Sequence, residues 1–537
     1  MAGRKHIELF AGCGGMSLGL ENAGFTLFMA NELSPMAAET FAYNLMAEDL
    51  QLNAEESRNA EKVLWIKSHY EMGNIKERLR ENPHEFSSGS FTDLNDLTDL
   101  KEKLIVGNID DFLTFLNKNK KLSKQLRSLN IDLLSGGPPC QGFSLAGKRI
   151  KDDQKNILPL SFAKFAGLIK PKIVLLENVQ GITAPFTVGG LKYYAWLEVA
   201  KAFSLQGYYP VCMLVNSKYF AVPQNRPRFL LFAFRKDIFQ KLFSRDNSNV
   251  VRFILNNSRS FFKKIGENKS DLGRIQPSDL SLYNIESSPD LFNGELLPQI
   301  ITNANQFVSV HEAINDIADT SRTYDLLEIQ NPYALNLSSL FKNKHIQFKG
   351  RLCNHEYRKH NYNVRARFRL YQILSNSNGL RQDLYKIISG QTVSQEKFET
   401  IFSNLQKERL LFKDENNIEV LREPDTFNSF QEYINQFGSR KQSQRALKSD
   451  EPAPAQLTIP DDLCHYSISE LRTLTVREMA RIQSFPDWFE FRSKVTTGGK
   501  LRRYETPQYT QVGNAVPPLL ARSVGHVLMN ILFSING

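Results

Sequence analysis

Four side chains carry the reactive chemistry legible in this sequence: the thiol of Cys140, the carboxyl of Glu177 and the guanidiniums of Arg226 and Arg228. Thiolate is the nucleophilic form of cysteine, and neighbouring cations favour it. A carboxyl can hold or pass a proton beside the atom under attack. Cys140 lies in IDLLSGGPPCQGFS, where a Gly-Gly-Pro-Pro turn presets the backbone and holds the thiol at the end of a predicted strand. Glu177 closes the apolar run KIVLLENV, and Arg226 and Arg228 stand two apart in QNRPR, which puts both on one face if that stretch is extended. Taken singly, a lone cysteine is more often an inert buried residue, ENV could open a helix, and QNRPR could be a solvated turn. In this order, at strand ends, they read as one cluster.

A second set of residues points to a bound cofactor. The run HIELFAGCGGMSLGL predicts a strand ending at Phe10, a turn at Gly12, Gly14 and Gly15, and a helix from about Met16. Glu32 follows twenty residues after Gly12, at the end of a second predicted strand, where a carboxylate can take both hydroxyls of a ribose. Together these say that the cofactor contains adenosine, and a nicotinamide enzyme shares that much. S-adenosylmethionine is favoured because GCGGMSLG departs from the dinucleotide spacing GxGxxG and because Phe10 could stack on an adenine.

The elements that must position these residues are strands and helices in alternation. From residue 5 to about 235, apolar runs such as HIELF, TLFMANE, KLIVGNI, IDLLSGG, KIVLLENV and RFLLFAF are separated by longer amphipathic stretches. That pattern predicts an α/β fold with a doubly wound, mainly parallel sheet, whose strand-end turns line one cleft. Residues 50–103 read as an inserted helical excursion with no assigned chemistry. Beyond residue 245 the pattern becomes irregular, and SRKQSQRALKSDEPAPAQ, near 439–460, reads as a linker or flexible loop. The expected divisions are therefore 1–245 for the catalytic domain, 246–466 for a smaller irregular domain, and 467–537 for a C-terminal segment returning to the first.

Composition narrows the class further. The 537 residues include 67 Lys and Arg against 57 Asp and Glu, a formal charge of +10 that suits a polyanionic partner. No signal-peptide pattern opens the chain, and the longest apolar runs, such as FLLFAF, are far shorter than a membrane span, so a cytoplasmic protein with no membrane association is expected. The five cysteines are odd in number, widely spaced and never in a CxxC pair, which argues against a disulfide framework or a metal site.

Read together, ELFAGCGG, GGPPCQGFS, ENV, QNRPR and QVGNAVPP resemble the ordered motifs of the DNA (cytosine-5) methyltransferase family, over roughly residues 6–235 and 467–530. The resemblance implies a methyltransferase of the bacterial restriction-modification type that uses S-adenosylmethionine and no metal. It implies that Cys140 adds to carbon 6 of a flipped-out cytosine, that Glu177 binds the N3 and amino edge, and that Arg226 and Arg228 hold the base and a neighbouring phosphate. For the cofactor it implies stacking on Phe10, a ribose contact from Glu32, and contributions from Gly12, Gly14, Asn108, Ile109, Asn514 and Val516. The loop 144–153 becomes the expected lid, and 246–466 a target-recognition domain reading double-stranded DNA. A monomer in the cytoplasm, held at the nucleoid through DNA, is expected, with a cognate restriction endonuclease in the same system but no stable complex with it. One departure stands out: the family carries an acidic residue contacting the adenine amino group where this chain has Asn108, so the amide carbonyl is expected to accept instead, with Asp110 as a neighbouring candidate. The alternatives are a tRNA cytosine-5 methyltransferase, against which the missing Cys-Phe-Thr tripeptide speaks, and a DNA-binding regulator without catalysis, against which the complete set of four reactive residues speaks.

Overall fold

The computed structural model describes residues 3–139, 154–188, 190–303, 306–319, 321–342, 350–376, 380–388, 390–436, 444–455, 458 and 463–535. Cys140 and the expected lid 144–153 lie outside them.

Nine strands form the central sheet: β1 (Arg4–Leu9), β2 (Phe25–Glu32), β3 (Val63–Trp65), β4 (Lys103–Val106), β5 (Leu133–Gly136), β6 (Ile173–Val179), β7 (Tyr208–Asn216), β8 (Pro227–Arg235) and β9 (Leu282–Asn284). Their order is β9-β7-β8-β6-β5-β1-β2-β4-β3, and every pairing is parallel except those of β8, which runs against both β6 and β7. The chain winds one way from β1 to β2 and the other way through β5 and β6, so the order reverses between β1 and β5. A ligand crevice opens at such a reversal, outside the carboxyl ends of the strands. Here the glycine turn after β1 and the Gly-Gly-Pro-Pro turn after β5 emerge side by side.

The continuous apolar strand runs follow from burial of the sheet on both faces. Leu134, Val174 and Leu176 pack on one face with Phe112 of α3 (Ile109–Lys118), Phe162 of α4 (Gln154–Ile169) and Phe203 of α5 (Ala195–Leu205). The alternate residues Leu133, Ile173 and Leu175 pack on the other with Met16 and Leu20 of α1 (Gly15–Asn22). Ser34 caps α2 (Pro35–Met46), which lies against Leu27 and Ala30 of β2.

The core of the sheet extends past the division expected at residue 245. Val251 and Ile254 of α6 (Asn249–Glu267), then Tyr283 of β9, Leu296 and Leu297, are buried with the sheet residues. A separate apolar core begins later. It joins α7 (Tyr362–Asn376), α8 (Leu380–Ile388), α9 (Gln395–Leu405), α10 (Phe427–Asn435) and the hairpin of β10 (Leu410–Lys413) and β11 (Glu419–Arg422). This smaller body is regular and mostly helical, unlike the irregular domain expected. Its helices are short and rich in aromatic and polar residues, which blurs their periodicity in the sequence.

Two further expectations are corrected. The 50–103 insertion is not simply a helical excursion: its buried Val63, Leu64 and Trp65 form β3 and extend the sheet beyond β4. The stretch 444–455 is not a free linker, because Ala453 and Pro454 pair in parallel with Gln224 and Asn225 and Leu447 is buried.

The C-terminal segment contributes α11 (Val476–Ile482), α12 (Gln508–Asn514) and α13 (Pro518–Ser534). Thr475 and Glu478 form a capping box on α11, and Arg472 holds the same Glu478 with two hydrogen bonds of 2.8 and 2.9 Å. No single helix among the described residues is long and apolar enough to cross a membrane. The apolar α13 is buried against α1, at a spacing only glycine permits: a Cβ on Gly19 would lie 2.4 Å from the carbonyl oxygen of Pro518 and 2.7 Å from the Arg522 nitrogen. Gly19→Ala is therefore expected to destabilise the protein by about 2 kcal/mol, because main-chain overlap outweighs the roughly 1 kcal/mol of helix propensity that alanine gains. Urea unfolding checks this, and an unchanged midpoint would show that the two helices can separate at little cost.

Candidate active site

The cofactor side of the crevice is built on the ends of β1, β2 and β4. Gly12 and Gly14 have φ of +56° and +99°, in the left-handed region that favours glycine. A Cβ on Gly12 would meet nothing within 4 Å, so the turn leaves open space above its backbone. The Glu32 carboxylate closes the turn, with Oε2 accepting from the Gly12 N–H and Oε1 from the Ser34 N–H, both at 2.8 Å. Burial pushes its pKa up, against those two backbone donors. Phe10, at φ +56°, stands half-buried with its ring edge-on to Phe162 at 6.2 Å. The C-terminal motif arrives from the far end of the chain: a Cβ on Gly15 would lie 2.4 Å from the Val516 carbonyl oxygen. Asn514 is exposed and Val516 half-buried, whereas Ile109 is buried in the core beneath. A glycine-lined opening beside a buried ribose-sized carboxylate clamp and a half-exposed aromatic ring fits the adenosyl part of S-adenosylmethionine.

The reactive side is built on β5, β6 and the start of β8. Because β8 is antiparallel, its first residues, not its last, reach the crevice, and Arg228 pairs with Val179. The Arg228 Nε lies 2.8 Å from Glu177 Oε1, with both side chains largely buried. Burial pushes the Glu177 carboxyl up, while Arg228 and Arg226 pull it down, and burial prevails. The carboxyl lies directly over the turn that leads to Cys140: a Cβ on Gly137 would sit 3.0 Å from Glu177 Oε2. Only glycine lets the two approach so closely.

Arg226 takes a different place from the phosphate-facing one expected. It is 2% exposed, and its Nη2 donates to the carbonyls of Gly513 and Ala515 at 2.8 and 3.1 Å. Its backbone is held in turn, the N–H donating to Asn216 Oδ1 at 2.9 Å. Arg226 is thus a strut joining QNRPR to the C-terminal motif, close enough to Glu177 to act on its charge.

Asn178 is the residue whose role the sequence did not suggest. Its Nδ2 donates to the Pro138 carbonyl at 2.9 Å, which ties β6 to the turn carrying Cys140. The available signal was its place beside Glu177 in ENV. Asn178→Ala leaves that buried carbonyl without this donor, a loss of about 1–3 kcal/mol in turn geometry. Turnover is expected to fall about 10- to 100-fold, with cofactor affinity by calorimetry unchanged. An equal loss in both would make Asn178 a residue of general stability instead.

The profile of the family described as C-5 cytosine-specific DNA methylase matches residues 4–64 and 109–530 of this chain. The chain belongs to that family. It is a DNA cytosine-5 methyltransferase of α/β fold. It is 24% identical over 529 residues to the type II methyltransferase M.DdeI of Desulfomicrobium norvegicum, covering 96% of this chain and 86% of that one. With the type II methyltransferase M.AgeI of Thalassovita gelatinovora it shares 24% over 547 residues, covering 98% and 99%. Among solved structures, a prophage-encoded E. coli protein described as a DNA modification methyltransferase aligns over 99% of both chains with a TM-score of 0.50 at 18% identity, a likeness of fold. The C-5 methylase profile passes over residues 65–108. That gap takes in most of the insertion and also Asn108, so this methyltransferase builds one edge of its cofactor crevice from sequence of its own.

Proposed function

We propose that this methyltransferase transfers a methyl group from S-adenosylmethionine to carbon 5 of a flipped-out cytosine within one short double-stranded DNA sequence, as the modification enzyme of a restriction-modification system. The observation that carries this reading is the Glu177 carboxyl seated over Gly137, braced by Arg228, at the same strand-order reversal as the cofactor crevice. Full-length similarity to type II methyltransferases supports the restriction-modification context.

The chemistry requires a nucleophile because carbon 5 of cytosine is unreactive until electrons enter the ring. Cys140, as thiolate, forms a bond to carbon 6, and the electron pair displaced toward N3 takes the proton that Glu177 supplies. Arg228 fixes the Glu177 carboxyl in plane, and Asn178 fixes the turn from which Cys140 attacks. The adduct is an enamine, nucleophilic at carbon 5. When bound, S-adenosylmethionine supplies an electrophilic methyl group. Loss of the carbon-5 proton then returns an electron pair to the ring and expels the thiolate, regenerating Cys140. Carbon 6 is unreachable in a stacked duplex, so the base leaves the helix, at a cost of a few kcal/mol in lost stacking and pairing. The smaller helical body, with Arg365, Arg367 and Arg369 on α7, is the part assigned to reading base edges.

Transfer of labelled methyl from S-adenosylmethionine to genomic DNA and, in parallel, to tRNA tests this, with bisulfite sequencing of the DNA. Label in 5-methylcytosine within one recurring DNA sequence is the expected result. Label in tRNA alone, or in neither, would overturn it.

A further inference from the structure

Asn108 sits beside the Glu32 clamp. The Gly107 N–H donates to the Glu32 carbonyl at 2.9 Å, and Asn31 Nδ2 donates to the carbonyls of Ile105 and Gly107 at 2.9 and 3.1 Å. The residue that follows therefore opens on the same strand-end crevice. The insertion closes this edge from behind, since a Cβ on Gly107 would lie 3.1 Å from the Ile66 carbonyl oxygen.

The amide of Asn108 is also the N-cap of α3, its Oδ1 accepting from the Asp110 N–H at 2.9 Å. A helix start needs an acceptor there, so the helix decides which way the amide faces. The carbonyl expected to accept from an adenine amino group is thus committed to the helix. What remains is Nδ2, which has no hydrogen-bond partner among the described residues. The neighbouring carboxylates are engaged as well: Asp110 Oδ1 accepts from Ser161 at 2.6 Å, and Asp111 pairs with Lys67 at 2.7 Å and accepts from Ser87 at 3.0 Å. An acid at position 108 could cap with one oxygen and accept with the other. Asparagine caps with its oxygen and presents a donor where the acid has its second acceptor.

We propose that Asn108 meets the cofactor's purine as a hydrogen-bond donor, so that the site accepts a 6-oxopurine in place of adenine. A ring nitrogen of adenine can take this hydrogen bond, and so can O6 of hypoxanthine, whereas the adenine amino group cannot. The inference rests on the proposed cofactor site and deepens it.

Calorimetric titration of the full-length protein with S-adenosylhomocysteine and with S-inosylhomocysteine tests it, on the wild type, Asn108→Asp and Glu32→Gln. Aspartate remains a good N-cap, so α3 is retained in the variant. The wild type is expected to bind the two ligands within about tenfold of each other, and Asn108→Asp to shift the ratio about tenfold or more toward adenine. Glu32→Gln is expected to weaken both ligands alike, which identifies the site independently of purine choice. A wild-type preference for adenine beyond about a hundredfold, or a ratio unmoved by Asn108→Asp, would overturn the donor assignment while leaving the cofactor site standing. Failure of the wild type to bind S-adenosylhomocysteine would overturn both.

Discussion

Cys140→Ser is expected to reduce methyl transfer by about 10⁴-fold or more, the scale on which removing a covalent nucleophile acts. The hydroxyl keeps the size of the thiol but ionises far less readily, so the attack on carbon 6 is lost while the fold is not. A duplex carrying 5-fluorocytosine at the target provides the sharper readout. Fluorine leaves no proton at carbon 5 to remove, so the wild-type adduct cannot resolve and the protein should remain bonded to DNA through denaturation. The Ser variant should bind the same duplex and release it. A normal yield of bonded complex from the variant would remove Cys140 from the mechanism.

Glu177→Gln is expected to lower turnover by about 10²- to 10⁴-fold, the range for loss of a positioned acid or base. The replacement retains shape and an acceptor for Arg228 but has no proton to exchange. The pH profile separates this from a packing defect. Burial raises the Glu177 pKa, so its protonated form persists above the ordinary carboxyl range and is depleted as pH rises through the folded value. Thiolate at Cys140 increases with pH, so the wild type should show a bell whose falling limb belongs to Glu177. In the Gln variant that limb should vanish and the residual rate should rise with pH to a plateau. A falling limb retained in Glu177→Gln would assign it elsewhere. The same raised pKa has a stability consequence of definite sign. The folded protein holds the proton more tightly than the unfolded chain, so this carboxyl's contribution is full below the unfolded pKa and is lost as pH climbs through the folded one.

The alternation of apolar runs was sufficient to reveal the doubly wound sheet, because strands buried on both faces leave uninterrupted apolar segments. The strand-end turns were legible for the same reason: glycine and proline punctuate them. What the sequence hid depends on direction and on distant partners. Nothing in RFLLFAF says that β8 runs antiparallel, yet that reversal is what places Arg228 at the crevice. Arg226 resembles any other exposed arginine until Gly513 and Ala515, nearly three hundred residues away, fold onto it. Glu8 interrupts an apolar strand without visible reason. In the fold it is buried, accepts a hydrogen bond from Ser17, and has its carboxyl pushed up to about 8, so at neutral pH it is largely protonated and needs no counter-charge. The β3 edge was missed because three residues are too few for a period to register.

The packing of α1 on α13 also sets a timetable for the protein's synthesis. Gly15 and Gly19 leave the ribosome among the first residues, but the segment they fit, Val516 to Arg522, is made some five hundred residues later. At about 5–20 residues per second, the glycine turn waits roughly 25–100 seconds for the piece that closes it. During that interval the nascent chain holds both reactive motifs without a finished crevice. Assembly of the active protein is thus timed by translation of its final helix, and a ribosome that stalls before it yields a chain with every reactive residue of the cluster and no site to hold them.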